Sequence, residues 1–342
     1  MKTNKKTIFI LIIILIITLF STIYYLFFYP NISLKAKKYT YIYIPSNASY
    51  KQLIDTLSKY KILKNYQSFI IASKIKRFTK PRGGRYKIIN GFNNNELINI
   101  LRSGIQSPIL LTFNNIRTKE QLASCISKYI EADSLSIIKL LNNDEYLKKY
   151  GFTSQDILAM FIPNTYEFFW NTDAEKFIKR MYREYRKFWT KERLAKAQAI
   201  GLSPKQVIIL ASIVQAEQMQ HKEERPRIAG LYINRLKKGM LLQSDPTLIY
   251  AWKNFSIKRV YNYHKNIDSP YNTYKYPGLP PGPIITPDIP SIDAVLNYEK
   301  HNYLYMVARE DLSGYHHFSK TISEHNYYAR LYQQKLNQLK IR

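Results

Sequence analysis

A single carboxylate, Glu217, ends a run of apolar residues, and two dense loops follow it in the chain. Residues 242–247 read LQSDPT, and residues 269–274 (SPYNTY) lead into residues 278–283 (GLPPGP). Loops rich in Pro, Gly, Asn and Tyr have fixed shapes and carry many hydrogen-bonding groups. A lone acid beside such loops predicts a site that holds an extended polar ligand and moves a proton on it.

The segment that carries Glu217 has the signals of a buried helix. Ser203 is a good N-cap, Pro204 suits the first helical position, and Gln206 completes a capping box. Residues 207–216 are apolar nearly all round, as in a helix packed inside a domain. Partial burial would raise the pKa of Glu217 and suit it to general-acid work, while a surface glutamate on the last turn is the alternative.

The two loops supply the candidate substrate contacts. Gln243, Tyr271, Asn272 and Thr273 could hydrogen-bond polar groups of the ligand or stack on one of its rings, although a self-bonded turn is the alternative for residues 271–273. Asp245 is the plausible second carboxylate and a further candidate for binding, but Asp-Pro-Thr is first of all typical of an Asx turn or a helix cap.

The histidines do not form a metal motif. His325, with Asn326, could reach the ligand from the last helix, and a capping role explains it equally well. No H-E-x-x-H pair occurs, and Glu217 and His221, one turn apart, lack an evident third ligand. The sequence also has no phosphate-binding glycine loop and no G-x-S-x-G elbow, so we expect no metal and no cofactor.

The charge of the chain favours an anionic partner. Lys and Arg number 52 against 24 Asp and Glu, a formal net charge of +28 in 342 residues. Nucleic acid is disfavoured because no zinc-finger, helix-turn-helix or RNA-binding signature stands out and the basic residues are spread along the chain. The single Cys125 excludes an internal disulfide.

Residues 7–29 carry no charge and are dominated by Ile, Leu and Phe. At ~1.5 Å per residue they would span about 35 Å, enough to cross a bilayer. The stretch is longer than the core of a signal peptide and ends in aromatic residues, so we expect an uncleaved anchor in the cytoplasmic (inner) membrane. Lysines flank it on both sides, so the positive-inside rule leaves its orientation open.

The mixture of helix and strand patterns predicts an α+β fold in four segments. These are an N-terminal stub and anchor (1–35), a small α+β module (36–113), a mostly helical connection (114–201) and an α+β catalytic domain (202–342). The expected strands are 39–45, 85–89, 108–113 and 303–308, the last pairing with 315–318. In the first half of the chain, helices are expected to begin near Ser49 and after residues 93–95 and to fill most of 118–150, and a turn-like junction is expected at 161–166. One unbroken helix is expected over 174–200. Further helices are expected at 227–237, 291–296 and 324–338.

Five motifs stand in one order at close spacing: LASIVQAE (210–217), INRL (233–236), GMLLQSDPT (239–247), SPYNTY (269–274) and GLPPG (278–282). Together they strongly resemble the MltG/YceG-like family of endolytic murein transglycosylases. Residues 163–166 (PNTY) and the tail at 317–319 and 325–326 fit the same family. The resemblance covers the chain from about Tyr41 and is densest from Ile208 to Pro283.

The resemblance implies a site, a location and partners. Glu217 would be the catalytic residue, since the family's Glu-x-Glu pair is here Gln215 and Glu217 and its second member is the catalytic one. It implies a cytoplasmic N-terminus and an extracytoplasmic (periplasmic-side) catalytic domain. This domain would cut nascent peptidoglycan strands and so limit their length, with wall synthases as partners. Residues 36–113 would be a LysM-like module, either a glycan binder or a plain spacer.

Lytic transglycosylation needs one acid, whereas glycoside hydrolysis ordinarily uses two carboxylates. One confident acid therefore fits the first reaction without excluding hydrolysis. A catalytically silent peptidoglycan-binding scaffold that recruits synthases is the competing hypothesis, and the retention of Glu217 favours the enzyme.

Overall fold

A computed structural model describes residues 5–339 of the protein, which fall into two compact units. The first unit holds the chain up to Leu111 with the short segments Tyr129–Ala132 and Glu167–Asp173. The second holds Thr112–Lys128, Asp133–Tyr166 and the chain from Ala174 onward. The predicted mixed helix-and-strand fold is confirmed, and residues 1–4 and 340–342 of the predicted first and last segments lie outside the described residues.

The first unit begins with an exposed apolar helix and continues as a small module of two strands and three helices. Its elements are α1 (Lys5–Phe27), β1 (Tyr39–Ile44), α2 (Tyr50–Tyr60), α3 (Tyr66–Ile75), β2 (Gly84–Ile89) and α4 (Asn94–Ser103). Strands β1 and β2 pair antiparallel, from Tyr39 opposite Ile89 to Ile44 opposite Gly84. Alternate strand residues, such as Ile42 and Tyr86, meet Leu53 and Leu97 from the helices in one core.

Helix α1 is long and apolar enough to cross a membrane, and none of its described side chains is buried. Its C-terminal end is joined to the module of the first unit. Asn94 donates a 2.8 Å hydrogen bond from Nδ2 to the carbonyl of Leu26, and Phe27 packs against the core of the module.

The second unit is mostly helical. It contains α5 (Lys119–Ile126), α6 (Ser134–Leu141), α7 (Asp144–Lys148), α8 (Ala174–Phe188), α9 (Lys191–Ile200), α10 (Pro204–Glu217), α11 (Arg225–Lys237), α12 (Asp245–Trp252), α13 (Ile289–Leu296), β5 (Tyr305–Ala308), β6 (His316–Ser319) and α14 (Ile322–Gln338). Strands β5 and β6 form an antiparallel hairpin, as predicted. Strands β3 (Ile109–Phe113) and β4 (Asn164–Phe168) pair with each other and carry the chain from one unit to the other.

Helix α10 is the core of the second unit. Ser203 caps it with the full capping box to Gln206, and Pro204 lies in the first turn, as the sequence predicts. Side chains from Val207 to Gln215 are buried, and α11, α12 and α13 pack around the helix. Glu217, its last residue, is therefore placed by a rigid, fully packed element.

Two predictions about elements were wrong. The expected single helix over 174–200 is two helices, because Thr190 leaves helical geometry and its side chain caps the amide of Arg193 to start α9. The expected turn-like junction at 161–166 includes strand β4, whose start at Asn164 directly follows Pro163. Helices α3 and α12 were not predicted as separate elements.

Candidate active site

The carboxyl group of Glu217 is held through one oxygen only. The phenol of Tyr232 donates a 2.6 Å hydrogen bond to Oε1, and the hydroxyl of Ser244 donates one of 2.5 Å to the same atom. Within residues 5–339 no group hydrogen-bonds Oε2. The side chain is half-buried. One oxygen is thus fixed by two donors while the other is available to a ligand.

The surroundings of Glu217 favour its protonated form. Burial is the main effect and raises the pKa of this carboxyl group above its usual value. The hydrogen bonds from Ser244 and Tyr232 act in the opposite direction, and the nearby charge of Asp245 raises the pKa further. The position at the C-terminal end of α10 adds to this, because the negative end of a helix disfavours a carboxylate. The net shift is upward, as a general acid requires.

The two donors come from different elements of the second unit. Tyr232 lies on α11 and is buried, which keeps the pKa of its phenol well above the usual value and the group protonated. Ser244 lies in the loop before α12 and is fully buried. Neither was singled out in the sequence: Tyr232 belonged to the apolar side of a predicted helix, and Ser244 was one hydroxyl within a motif.

Thr273 holds the loop that presents Ser244. Its Oγ1 accepts a 3.0 Å hydrogen bond from the amide of Ser244 and lies 2.8 Å from the hydroxyl of Thr247. Its carbonyl accepts a 3.0 Å bond from the amide of Gln243. The two motifs predicted to form one site are therefore directly joined, and Thr273, itself buried, lies behind Ser244 rather than at the surface.

Asn272 is fully buried inside its own loop. Its Nδ2 donates 2.8 Å hydrogen bonds to the carbonyls of Lys265 and Ile267, and its Oδ1 accepts a 3.0 Å bond from the amide of Tyr274. Both polar ends of the amide are thus used to fix the shape of the loop. This arrangement corresponds to the self-bonded turn considered from the sequence.

Asp245 is exposed and begins α12, with Ser244 at the N-cap position. The phenol of Tyr274 donates a 2.5 Å hydrogen bond to its Oδ1. Burial, followed by the charge of Asp245, keeps the pKa of Tyr274 far above its usual value, so the phenol remains a donor. Since Asp245 also influences the pKa of Glu217, the structure brings these two carboxyl groups into one electrostatic neighbourhood.

Gln243 directly precedes Ser244 in the loop before α12. Its side chain is exposed, and its backbone has a left-handed conformation with φ of 53°. Its Oε1 accepts a hydrogen bond from the guanidinium of Arg235. Arg235 is buried and also donates to the carbonyls of Leu241 at 2.8 Å and Leu304 at 3.0 Å. Gln243 is therefore oriented by a fixed arginine, a partner that the sequence did not reveal.

Tyr271 and His325 lie at the margins of this arrangement. Tyr271 packs against Tyr250, with ring centroids 4.6 Å apart, and borders a separate cavity. His325 stacks on Tyr305 at 5.5 Å and is half-buried, and its Nδ1 has no hydrogen-bond partner among the described residues. Burial first, and then the charge of Arg235, lowers the pKa of His325.

Gln215 stands where the family has the first glutamate of its Glu-x-Glu pair. Its side chain is buried and hydrogen-bonded to neighbouring elements. Its Nε2 donates a 2.9 Å hydrogen bond to Asn115, and its Oε1 accepts bonds from the amide of Asp288 at 2.6 Å and the hydroxyl of Ser291 at 3.3 Å. Its amide thus joins α10 to the start of α13. Among residues 5–339, no cluster of three His, Cys, Asp or Glu side chains could hold a metal ion.

Fold and site together define a mixed helix-and-strand protein with one raised-pKa carboxyl group at the end of a buried helix. Residues 42–330 match the model of the YceG-like family, and the chain belongs to that family.

Relatives and a solved structure agree with this assignment. The chain is 29% identical over 301 residues to an endolytic murein transglycosylase of Bacillus subtilis, covering 83% of this chain and 82% of the relative. It is 27% identical over 311 residues to one of Streptococcus pneumoniae, covering 81% of this chain but 55% of that relative. A crystal structure of a YceG-like protein from Listeria monocytogenes matches with a TM-score of 0.57 and 28% identity over 85% of this chain and 99% of that chain.

Proposed function

We propose that this protein is an endolytic murein transglycosylase with Glu217 as its acid and base. The observation that carries the proposal is the hydrogen bonding of Glu217: Oε1 is fixed by Tyr232 and Ser244, and Oε2 is left to a ligand. The raised pKa supports it, because the acid must enter the reaction with its proton. The motifs around Glu217 and the transglycosylase relatives identify murein as the substrate.

The reaction needs no group beyond this one acid. Glu217 gives its proton to the glycosidic oxygen between MurNAc and GlcNAc as the bond from MurNAc C1 breaks. The resulting carboxylate takes the proton of the MurNAc C6 hydroxyl, whose oxygen bonds to C1 and closes a 1,6-anhydro ring. Glu217 is protonated again at the end, and no water is consumed.

Residues around Glu217 have two kinds of proposed role. Gln243 and Asp245 are exposed and bear free polar surface beside the acid, so we assign them to direct substrate contact. Asn272 and Thr273 are buried and act through the loop, Thr273 by holding Ser244. Tyr271, which packs against Tyr250, and His325, which stacks on Tyr305, are assigned to substrate subsites farther along the strand.

We further propose that α1 anchors the protein in the cytoplasmic membrane, with the second unit on the extracytoplasmic side, where nascent strands emerge. We assign the strands and helices of the first unit to a LysM-like module, and glycan binding by it would hold the strand near the anchor. Cutting strands there would limit their length and bring the enzyme beside wall synthases.

The test is cleavage of purified murein strands by Glu217→Gln, with the exposed Glu175→Gln as matched control. The amide is nearly isosteric but cannot transfer a proton, so we expect activity to fall by at least about 10²–10⁴-fold in a normally folded protein. The control should cut like the wild type. Near-normal cleavage by folded Glu217→Gln would remove Glu217 from the mechanism.

A further inference from the structure

A cavity of about 660 Å³ in the second unit lies apart from the hydrogen bonds around Glu217. We call it the side pocket and define it by Lys119, Asn142, Gln155, Tyr250, Lys253 and Tyr271. Its size is that of a site for a small molecule or a short peptide. None of the steps assigned to Glu217 uses it.

A second cavity, of about 100 Å³, shares part of its wall with the side pocket. Tyr250 and Phe255 border both cavities. The smaller one is also bordered by Ala216 and Pro246, which directly adjoin Glu217 and Asp245 in the chain. The walls of these two cavities therefore include residues next to Glu217 and Asp245 in the chain.

The charges of the side pocket favour an anion. Lys119 and Lys253 border it with a single carboxylate, Glu120. Arg117 borders the smaller cavity, with its guanidinium 4.6 Å from the ring centroid of Phe255. Neither lysine forms an ion pair within residues 5–339. The Lys119 ammonium donates one hydrogen bond to Asn142 and keeps further donors for a ligand. Burial lowers the pKa of Lys119, the charges of Glu120 and Asp144 oppose this effect, and the like charge of Lys253 adds to it.

The rest of the pocket wall suits peptide rather than purely ionic binding. The rings of Tyr250 and Tyr271, tilted by 47° to each other, form an apolar wall. Gln155, Ser154 and Ser269 offer hydrogen-bonding groups beside it. A ligand with carboxylates, amides and small apolar side chains would satisfy all three kinds of group. A neutral sugar would bring no negative charge to the two ammonium groups.

We propose that the side pocket binds the carboxylate-bearing stem peptide that murein carries on its MurNAc residues, so that the enzyme selects peptide-bearing strands. This inference rests on the proposed function, since the peptide is delivered by the strand that Glu217 cuts. The basic pocket and the acid belong to the same unit, so that unit would bind both the substituent and the bond that is cut.

The experiment compares two substrates with the full-length protein: peptide-bearing murein strands, and the same strands after an amidase has removed the peptides. We expect the wild type to show a kcat/KM about 10-fold higher on peptide-bearing strands, the effect of one or two charge-assisted contacts. In Lys119→Ala/Lys253→Ala the ratio of the two kcat/KM values should fall to about one, whereas the control Lys128→Ala/Lys191→Ala, at exposed positions outside the pocket, should keep the ratio of the wild type.

Two outcomes would overturn the proposal: an unchanged ratio in the pocket variant, or an equal loss on both substrates, which would assign the pocket to the sugars. If the wild type cuts neither substrate, the proposed function fails by itself. Calorimetric binding of a soluble stem tetrapeptide then decides the pocket separately. Binding to the wild type that is lost in Lys119→Ala/Lys253→Ala supports it, and no binding refutes it.

Discussion

Ser244 donates a 2.5 Å hydrogen bond to Oε1 of Glu217, although 27 residues separate the two in the chain. The bond joins the end of α10 to the loop before α12 and, with Tyr232, fixes the acid through one oxygen. Burial raises the pKa of Glu217, and this hydrogen bond limits the rise, because it stabilises the charged form of the carboxyl group.

Ser244→Ala should therefore raise the pKa of Glu217 further. Activity requires the protonated acid and falls as the pH rises through this pKa, so the alkaline limb of the kcat/KM profile should move to higher pH, by up to about one unit. Tyr232→Phe should move it in the same direction, and the exposed Ser256→Ala should leave it in place. A shift of the limb to lower pH in Ser244→Ala would contradict this account of the site.

Local signals allowed much of α10 to be predicted from the sequence. Its cap, its first-turn proline and its apolar run depend on residues within a few positions of one another. The groups that fix Glu217 depend on the packing of α11 and of the loop before α12, which no local pattern contains. The shared motif at 239–247 is enough to select Gln243 and Asp245 as candidates. That Asn272 and Thr273 are buried and support the loop follows only from their hydrogen-bond partners in the fold.

The wrong predictions have physical causes of the same kind. The helical spacing of Phe177, Met181 and Tyr185 predicts a helix that continues to residue 200. Helix α8 instead ends at Phe188, and Thr190 caps the start of the next helix, α9. Strand β4 is short and begins beside a proline, so the turn signal of Pro163 concealed it.

The double variant Gln215→Glu/Glu217→Gln tests whether the acid can act from the first position of the pair. We expect it to be as inactive as Glu217→Gln, because the side chain at 215 is buried and directed to Asn115 and the start of α13. Product formation from murein strands is the measurement. A clear recovery of cleavage over Glu217→Gln would mean that position 215 reaches the substrate.

Thr273→Val should damage both the fold and the reaction. It leaves the buried amide of Ser244 without its acceptor, at a cost of about 1–3 kcal/mol of folding free energy, and it loosens the hydroxyl that fixes Glu217. We expect a lower melting temperature and a lower kcat, with the KM for murein changed less. Thr273→Ser keeps the oxygen and should restore most of both. If Thr273→Val keeps the kcat of the wild type, the loop does not position Ser244.

The identity of the nucleophile tests the central claim most directly. A retaining or inverting hydrolase needs a second carboxylate at a set distance from the acid, and Asp245 is the residue near Glu217 that would serve. Digestion of murein in ¹⁸O-labelled water, followed by mass analysis of the new ends, separates the two reactions. We expect unlabelled 1,6-anhydroMurNAc ends, lighter by one water than hydrolysed ends. Labelled reducing ends would show that water attacks C1, and the protein would then be a muramidase with Asp245 as its second carboxylate.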